Sequence, residues 1–419
     1  MIKKIFILIN LFLSIILQLT PTSICDDIED NNTIDVTNEI ISSSTTSQSE
    51  IKTPETNSRS CVVIDRNSNT VLYGKNENSK RKMASTTKIM TAIIIIENYN
   101  LDETIEVSKK AAGTGGSRLG LKTGDKITIR DLLYGLMLCS GNDAAVALAE
   151  YAGNDIPGFA KLMNKKANAL GLKDTNFETP HGLDADNHYT TAYELATLSN
   201  YALNNKTFSQ IVGTKNYTVT INGSPKQLSN TNELLGNLDG VYGIKTGFTN
   251  GANRCLVTAC KRNDMDIICV VLGADTKKFR TSDSIKLINY IFDNFKPVNI
   301  KEKIYKDFEK WKNENLNKVI VNKGISQNIN LEIENINNSI IPIRKDLIDS
   351  INISINCSTI FEAPLPEKTT IGNIHITISE NVILDYNIYN SSEIKRKSWS
   401  TYILDILKNY PNILEKNLI

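Results

Sequence analysis

Ala84-Ser85-Thr86-Thr87-Lys88-Ile89-Met90-Thr91-Ala92-Ile93-Ile94-Ile95-Ile96 is the stretch on which the fold turns. Local propensity reads its second half as a strand, because consecutive isoleucines lose rotamer freedom in a helix and pack well on a pleated surface. The competing reading is a helix apolar on every side, the pattern of a fully buried central helix. The apolar pattern by itself leaves both open. The first half carries a different signal. On a helix, Ser85 and Lys88 stand at i and i+3, one turn apart on one face. A helix start there would aim free N–H groups at negative charge gathering beside the serine. Taken alone, the pair reads equally well as a helix cap beside a solvated lysine.

Outward from this stretch, Cys61-Val62-Val63-Ile64 and Val71-Leu72-Tyr73 flank the turn-forming Asn67-Ser68-Asn69, which predicts a hairpin. Asp131 to Ala152 and Phe159 to Leu170 read as helices. Thr191 followed by Glu194 resembles a capping box opening another helix, to about Leu203. From Val241 the texture turns to strands: Tyr242-Gly243-Ile244-Lys245, Arg254 to Cys260, and Ile267 to Leu272. The last two are joined by the polar turn Lys261-Arg262-Asn263-Asp264, and Phe279 to Phe295 reads as a closing helix. The sum is a sheet with helices packed on it, an α+β domain over residues 60–296. Beyond Pro297, Val319-Ile320-Val321, Ile329 to Ile333, Ile351 to Ile355 and Ile374 to Ile378 mostly alternate apolar with polar. That period predicts a small β-rich domain with one buried face, residues 297–390.

The ends of the chain add context. Its 419 residues suit two domains, and a net charge of +1 supplies no field for nucleic acid. Lys3-Lys4, the apolar run Ile5 to Leu19 and the polar Pro21-Thr22-Ser23 have the layout of a cleavable secretory signal, residues 1–25. The expected destination is the outer face of the cytoplasmic membrane or the cell wall. An uncleaved anchor is the alternative, although the run is short for a full span. Residues 26–59 are acidic and rich in Ser, Thr and Asn, a composition that reads as a tether. In residues 391–419, Trp399, Tyr402, Ile403, Ile406, Leu407 and Tyr410 share one helical face, with Lys395, Arg396, Lys397 and Lys408 around it. This suits a helix lying on an anionic membrane surface, or one docked on its own β domain. Of the seven cysteines, Cys25 leaves with the signal. The others read mostly as buried, reduced thiols, with Cys255 and Cys260 facing opposite sides of a strand.

Three short motifs occur in order: Ser85-Thr86-Thr87-Lys88, Ser140-Gly141-Asn142 and Lys245-Thr246-Gly247. Each alone is common, as a helix cap, a turn or a strand end. Together, in an exported chain, they are the recognised signature of penicillin-binding proteins and class A β-lactamases. A serine hydroxyl is a poor nucleophile until a base takes its proton. Lys88 can be that base only when neutral, and both burial and a second cation, Lys245, would lower its pKa. Ser140 can relay a proton to the leaving group, and the Asn142 amide can bond a substrate backbone. Lys245 and Thr246 can bind a carboxylate, while Gly247 lets a substrate strand approach closely. The only histidines are His181, His188 and His375, and no G-x-S-x-G elbow surrounds Ser85. A Ser-His-Asp triad is therefore not supported. No metal site is expected either, since His181 and His188 lack a convincing third ligand.

Longer stretches carry a closer resemblance. Ala84 to Ala92, Gly116-Ser117-Arg118-Leu119-Gly120-Leu121-Lys122, Ser140-Gly141-Asn142-Asp143-Ala144-Ala145, Pro180-His181-Gly182-Leu183-Asp184 and Lys245-Thr246-Gly247-Phe248-Thr249 resemble the D-alanyl-D-alanine carboxypeptidase family of low-molecular-mass penicillin-binding proteins. The resemblance covers about Ser60 to Phe295; the β-rich domain, including Pro364 to Gly372, and the tail resemble that family more loosely. It implies a β-lactamase/transpeptidase-like domain, an antiparallel sheet with helices, and it reads Ile93 to Ile96 as helix. It implies acyl transfer: Ser85 attacks the carbonyl between the two terminal D-alanines of a peptidoglycan stem peptide, the last D-alanine leaves, and water hydrolyses the acyl-enzyme. The backbone N–H groups of Ser85 and Phe248 would form the oxyanion hole. β-Lactams would acylate the same serine, and no cofactor is needed. Two rival readings stand beside it. In a class A-like β-lactamase Glu178 would activate the deacylating water, but Phe177-Glu178-Thr179-Pro180-His181 matches the carboxypeptidase pattern. In a non-catalytic wall-binding or β-lactam-sensing module, an intact Ser85, Lys88 and Lys245 would go unexplained.

Overall fold

The computed structural model describes residues 51–336, 340–378 and 381–404. The expected signal, most of the tether, and Ile406, Leu407 and Tyr410 of the tail lie outside these residues. The chain divides near Asp293 into two compact units.

The first unit is built on a five-stranded antiparallel sheet. Its order is Val71–Lys75, Ser60–Asp65, Met265–Ala274, Asn253–Arg262, Val241–Thr249. Val62, Ile64, Val257, Ile268 and Val270 join one apolar core with the helix Lys88–Asn98. That helix decides the conflict in its own sequence. Ile89, Met90, Ala92, Ile93 and Ile95 are fully buried and Ile94 nearly so. Burying one isoleucine contributes about 1.5–3 kcal/mol. The helix-propensity cost of a β-branched residue is below about 0.7 kcal/mol, so burial wins and the strand reading fails.

Three other expectations shift. Asp131 to Ala152 is two helices, Ile129–Leu138 and Asn142–Gly153, broken at Cys139-Ser140-Gly141, with Ser140 at φ 59°. The strand carrying Lys245-Thr246-Gly247 runs on to Thr249, which pairs with Asn253, so the motif lies inside an edge strand rather than at its end. Order begins before Ser60: Ser58 is buried, and its N–H and hydroxyl both donate to the Asp283 carboxylate at 2.8 and 2.5 Å. Three buried hydrogen-bond groups meet there, which the polar composition of the segment does not reveal. The helix expected from Thr191 runs Ala192–Leu203, and the Thr191 hydroxyl accepts from Glu194 N. The Glu194 carboxylate does not reciprocate. It accepts from Asp174 N and the Thr175 hydroxyl instead.

In the second unit, Leu331–Ile333, Asn381–Asn390, Thr370–Ile378 and Ile351–Cys357 form a four-stranded antiparallel sheet. Ile351, Ile374, Ile376 and Ile388 are buried in its core, as alternation requires. The helix Ile300–Asn315 was not read from the sequence, although Ile300, Ile304 and Phe308 are its buried residues at i, i+4 and i+8. The tail begins later than residue 391. Ile394 is buried in this core and pairs with Leu365, and Lys397 N donates to Lys323 O at 2.8 Å. The six described cysteines are free and five are buried. Burial pushes the Cys61 and Cys255 thiols up to about 11 and Cys260 to about 12, so they stay protonated.

Candidate active site

Ser85 lies in a 3₁₀ turn, Ala84–Thr87, that runs directly into the helix beginning at Lys88. Thr86 N and its hydroxyl both donate to Met83 O, at 3.2 and 2.6 Å, which tightens the turn. Ala84, just before the serine, has φ 48°. This is left-handed backbone that a residue with a Cβ seldom adopts unless its surroundings hold it.

Lys88 is fully buried. Its Nζ lies 2.7 Å from Ser85 Oγ, 2.8 Å from Asn142 Oδ1 and 2.8 Å from His181 O. An amine has two N–H groups and one lone pair. Two carbonyl oxygens and the Ser85 hydroxyl proton use all of them. The same three oxygens also accept from an ammonium. The surroundings thus accommodate Lys88 before and after it takes a proton.

The second motif supplies one wall. Asn142 opens the helix Asn142–Gly153, and its amide is held at both ends: Oδ1 faces Lys88, and Nδ2 donates to Gly115 O at 2.8 Å. Ser140 is buried, and its Oγ makes no hydrogen bond among the described residues. The next residue was not singled out by the sequence reading. Asp143 is fully buried. Its Oδ1 accepts from Leu119 N and Ala144 N, and its Oδ2 from Gly120 N and Leu121 N, all within 2.7–2.9 Å. This carboxylate ties the Gly115–Leu121 loop against the motif.

The third motif supplies the opposite wall. Lys245 and Thr246 are buried, with Lys245 Nζ donating to Thr246 O at 3.0 Å and the Thr246 hydroxyl 2.8 Å from that of Thr231. A Cβ on Gly247 would stand 3.0 Å from Ser85 N and 3.2 Å from Ala84 Cβ, so only glycine admits this approach without a shift. Phe248 follows, with the Arg254 guanidinium 3.8 Å over its ring. Arg254 comes from the neighbouring strand and is buried. No local pattern around it signals a role, because the pairing that brings it to Phe248 exists only in the sheet.

A cavity of about 280 Å³ lies over the serine, lined among others by Ser85, Ser117, Asn142, Leu183, Phe248 and Thr249. Ser85, Lys88 and Asn142 are therefore in direct contact, Gly247 abuts the serine, and Phe248 reaches the cavity. Ser140, Lys245 and Thr246 are buried beside them. A larger cavity of about 640 Å³ in the second unit contains none of the motif residues.

The loop carrying His181 and His188 closes the site. His181 Nδ1 accepts from Leu183 N at 3.1 Å, and His188 Nδ1 accepts from Glu178 N at 3.0 Å. Both rings serve the loop, as expected of structural histidines. Burial lowers the His181 pKa to about 3 and that of His188 to about 4. The Glu178 carboxylate accepts from Asn187 N at 2.9 Å, a bond internal to the loop.

Comparison with known proteins accords with this arrangement. The family model for D-alanyl-D-alanine carboxypeptidases, peptidase family S11, matches residues 45–276. The chain is 32% identical over 352 residues to D-alanyl-D-alanine carboxypeptidase DacF of Bacillus subtilis, covering 82% of this chain and 88% of that protein. It is 31% identical over 369 residues to DacA of Escherichia coli, covering 85% and 88%. Among solved structures, penicillin binding protein 5 of Haemophilus influenzae is similar with TM-score 0.67 and 25% identity, covering 82% of this chain and 99% of that one. The Streptomyces K15 DD-transpeptidase is similar with TM-score 0.55 and 35% identity, covering 57% and 98%.

Proposed function

Since the chain belongs to the D-alanyl-D-alanine carboxypeptidase family, we propose that Ser85, Lys88 and Ser140 are its catalytic residues and that Asn142, Lys245, Thr246, Gly247 and Phe248 bind its substrate. The protein is a serine-type D-Ala-D-Ala carboxypeptidase of the penicillin-binding fold. It removes the terminal D-alanine from peptidoglycan stem peptides and is acylated by β-lactams.

The observation that carries the assignment is Lys88 Nζ at 2.7 Å from Ser85 Oγ, with two carbonyl oxygens taking its other hydrogens. Lys88 removes the hydroxyl proton as Ser85 Oγ attacks the carbonyl between the two D-alanines. The oxyanion that forms is held by the N–H groups of Ser85 and Phe248, preorganised donors of the kind that contribute several kcal/mol to such steps. The C–N bond then breaks. The departing amine takes a proton from Lys88, passed through the Ser140 hydroxyl, whose buried oxygen has no hydrogen-bond partner among the described residues. Water attacks the acyl-enzyme as Lys88 takes its proton, the acyl–Oγ bond breaks, and Lys88 returns the proton to Ser85 Oγ. Lys245 and Thr246 hold the terminal carboxylate. The substrate lies along the free edge of Val241–Thr249, the edge strand that backbone pairing would extend.

The protein acts outside the cytoplasmic membrane in this reading, directed there by residues 1–25 and held by the tail. Trp399, 80% exposed, and Ile403, 37% exposed, begin an apolar face on that tail. No described helix is long and apolar enough to cross a membrane, and the attachment we propose is of an amphipathic face to an anionic surface. Because Ile394 to Lys397 are laced into the second unit, truncation after Ser398 tests the tail. The shortened protein should leave the membrane fraction, and unchanged fractionation would refute the attachment.

The decisive assay is D-alanine release from a peptide ending in D-Ala-D-Ala, with and without penicillin. Penicillin should block release, and Ser85→Ala should abolish both release and labelling by a fluorescent penicillin. Rapid penicillin hydrolysis without an accumulating acyl-enzyme would point to a β-lactamase. Labelling without D-alanine release would point to a sensor.

A further inference from the structure

We propose that His188 is a positioning residue for acyl transfer: through Thr87 it holds the Ala84 carbonyl, and with it the strained turn that presents Ser85. The inference rests on the reading of Ser85 as nucleophile.

The argument starts from the turn. Ala84 at φ 48° will not stay left-handed without restraint. Its carbonyl accepts from the Thr87 hydroxyl at 2.8 Å. Thr87 Oγ1 is in turn 2.7 Å from His188 Nε2. Which atom donates follows from the rest of the ring. His188 Nδ1 accepts from Glu178 N at 3.0 Å, with Thr179 N at 3.4 Å, so Nδ1 is the bare nitrogen and Nε2 carries the hydrogen. Nε2–H therefore donates to Thr87, whose only hydroxyl proton is then directed at Ala84 O. Every hydrogen in the chain from Glu178 N–H to the Ala84 carbonyl is assigned. Both side chains are buried, at 0% exposure for Thr87 and 2% for His188, so bulk water does not compete. Burial, with Lys82 assisting and Asp184 opposing, keeps the imidazole neutral near pH 7.

His188 also closes the loop that serves Lys88. Nδ1 binds the loop at Glu178 and Nε2 binds the nucleophile turn. Between these points Pro180 O accepts from the Thr91 hydroxyl at 2.7 Å and His181 O accepts from Lys88. Gly182 packs so tightly that a Cβ there would stand 1.9 Å from Ala84 O. One ring thus fixes both the serine and a carbonyl partner of its base while touching neither Ser85 nor Lys88.

The test uses the full chain and the second-order rate of acylation by a fluorescent penicillin. His188→Phe keeps an aromatic ring but removes both nitrogens, and Thr87→Val removes the hydroxyl at nearly constant shape. Each should slow acylation by about tenfold or more, the loss of one buried hydrogen bond. The double variant should be little slower than either single, because both break one chain. His188→Gln, which restores a donor and an acceptor, should recover part of the rate. Additive effects, or a lowered melting temperature with a wild-type acylation rate, would overturn the proposal. A wild type that penicillin does not label would instead sink the reading of Ser85. Where a variant fails to fold, long-range proton–nitrogen NMR of the wild type decides: Nε2–H at His188 is expected, and Nδ1–H would be fatal.

Discussion

Asp143→Asn is a substitution of almost no volume, yet it should be among the more damaging single changes in the first unit. Each carboxylate oxygen of Asp143 accepts two backbone N–H groups, Leu119 and Ala144 on one, Gly120 and Leu121 on the other. An amide presents one oxygen and one NH₂. Whichever way it is turned, its NH₂ faces two donors, and flipping offers no escape. Two charge-assisted bonds are lost, each worth about 1.5–3 kcal/mol, and Leu119 and Leu121 are buried. The expected loss is about 3–6 kcal/mol, set against a typical domain stability of about 5–15 kcal/mol. Urea denaturation followed by circular dichroism measures it, with an unchanged slope marking an unchanged unfolded state. The Gly115 carbonyl, which orients the Asn142 amide, sits on the freed loop, so acylation by penicillin should slow in the fraction that remains folded. A midpoint equivalent to less than about 0.5 kcal/mol, the scale of an ordinary surface change, would refute the reasoning.

Other perturbations follow from the same geometry. Lys88→Ala should nearly abolish penicillin labelling while leaving a folded protein; wild-type labelling would remove Lys88 as the base. Lys245→Ala should depress D-alanine release from the peptide strongly, read as a fall in kcat/KM, and an unchanged value would remove it as the carboxylate site. In Gly247→Ala the new Cβ, 3.0 Å from Ser85 N, would cover a proposed oxyanion donor. Acylation should fall by about a hundredfold, with little change in melting temperature. Stability should also fall with acid. Burial lowers His188 from 6.5 to about 4 and His181 to about 3, so between these values and 6.5 the unfolded chain binds protons that the folded chain does not. Stability present above pH 6.5 is then lost as pH falls toward 4, by about 2 kcal/mol per histidine at pH 5. His188→Gln should lose about 2 kcal/mol less than wild type between pH 7 and pH 5 in urea titrations, and equal losses would contradict the buried, neutral ring.

The alternation of Ile351 to Ile355 and Ile374 to Ile378, and the polar turn at Lys261 to Asp264, were legible because strand period and turn chemistry are local. The order of the three motifs was legible for the same reason. Ser85 and Lys88 are a fixed i, i+3 pair once the stretch is helical, and the residue types say what chemistry is available. The helix Ile300–Asn315 could have been read too, from Ile300, Ile304 and Phe308, but its charged remainder masked the stripe. Whether Ile93 to Ile96 is helix or strand was not in the residues themselves. Burial on every side outweighs β-branched propensity, and only neighbours distant in sequence supply that burial. Nor could the sequence show that Asp143 clamps a loop 22–24 residues upstream, that Asn142 is held at both ends, or that His188 reaches Thr87 across 101 residues. A hydrogen bond between remote segments depends on where the chain returns to, so it leaves no periodicity to read. By itself the sequence determined which chemistry this protein carries. Tertiary structure alone decided how Ser85 is held in place, because that hold is made of contacts between segments that only the folded chain brings together.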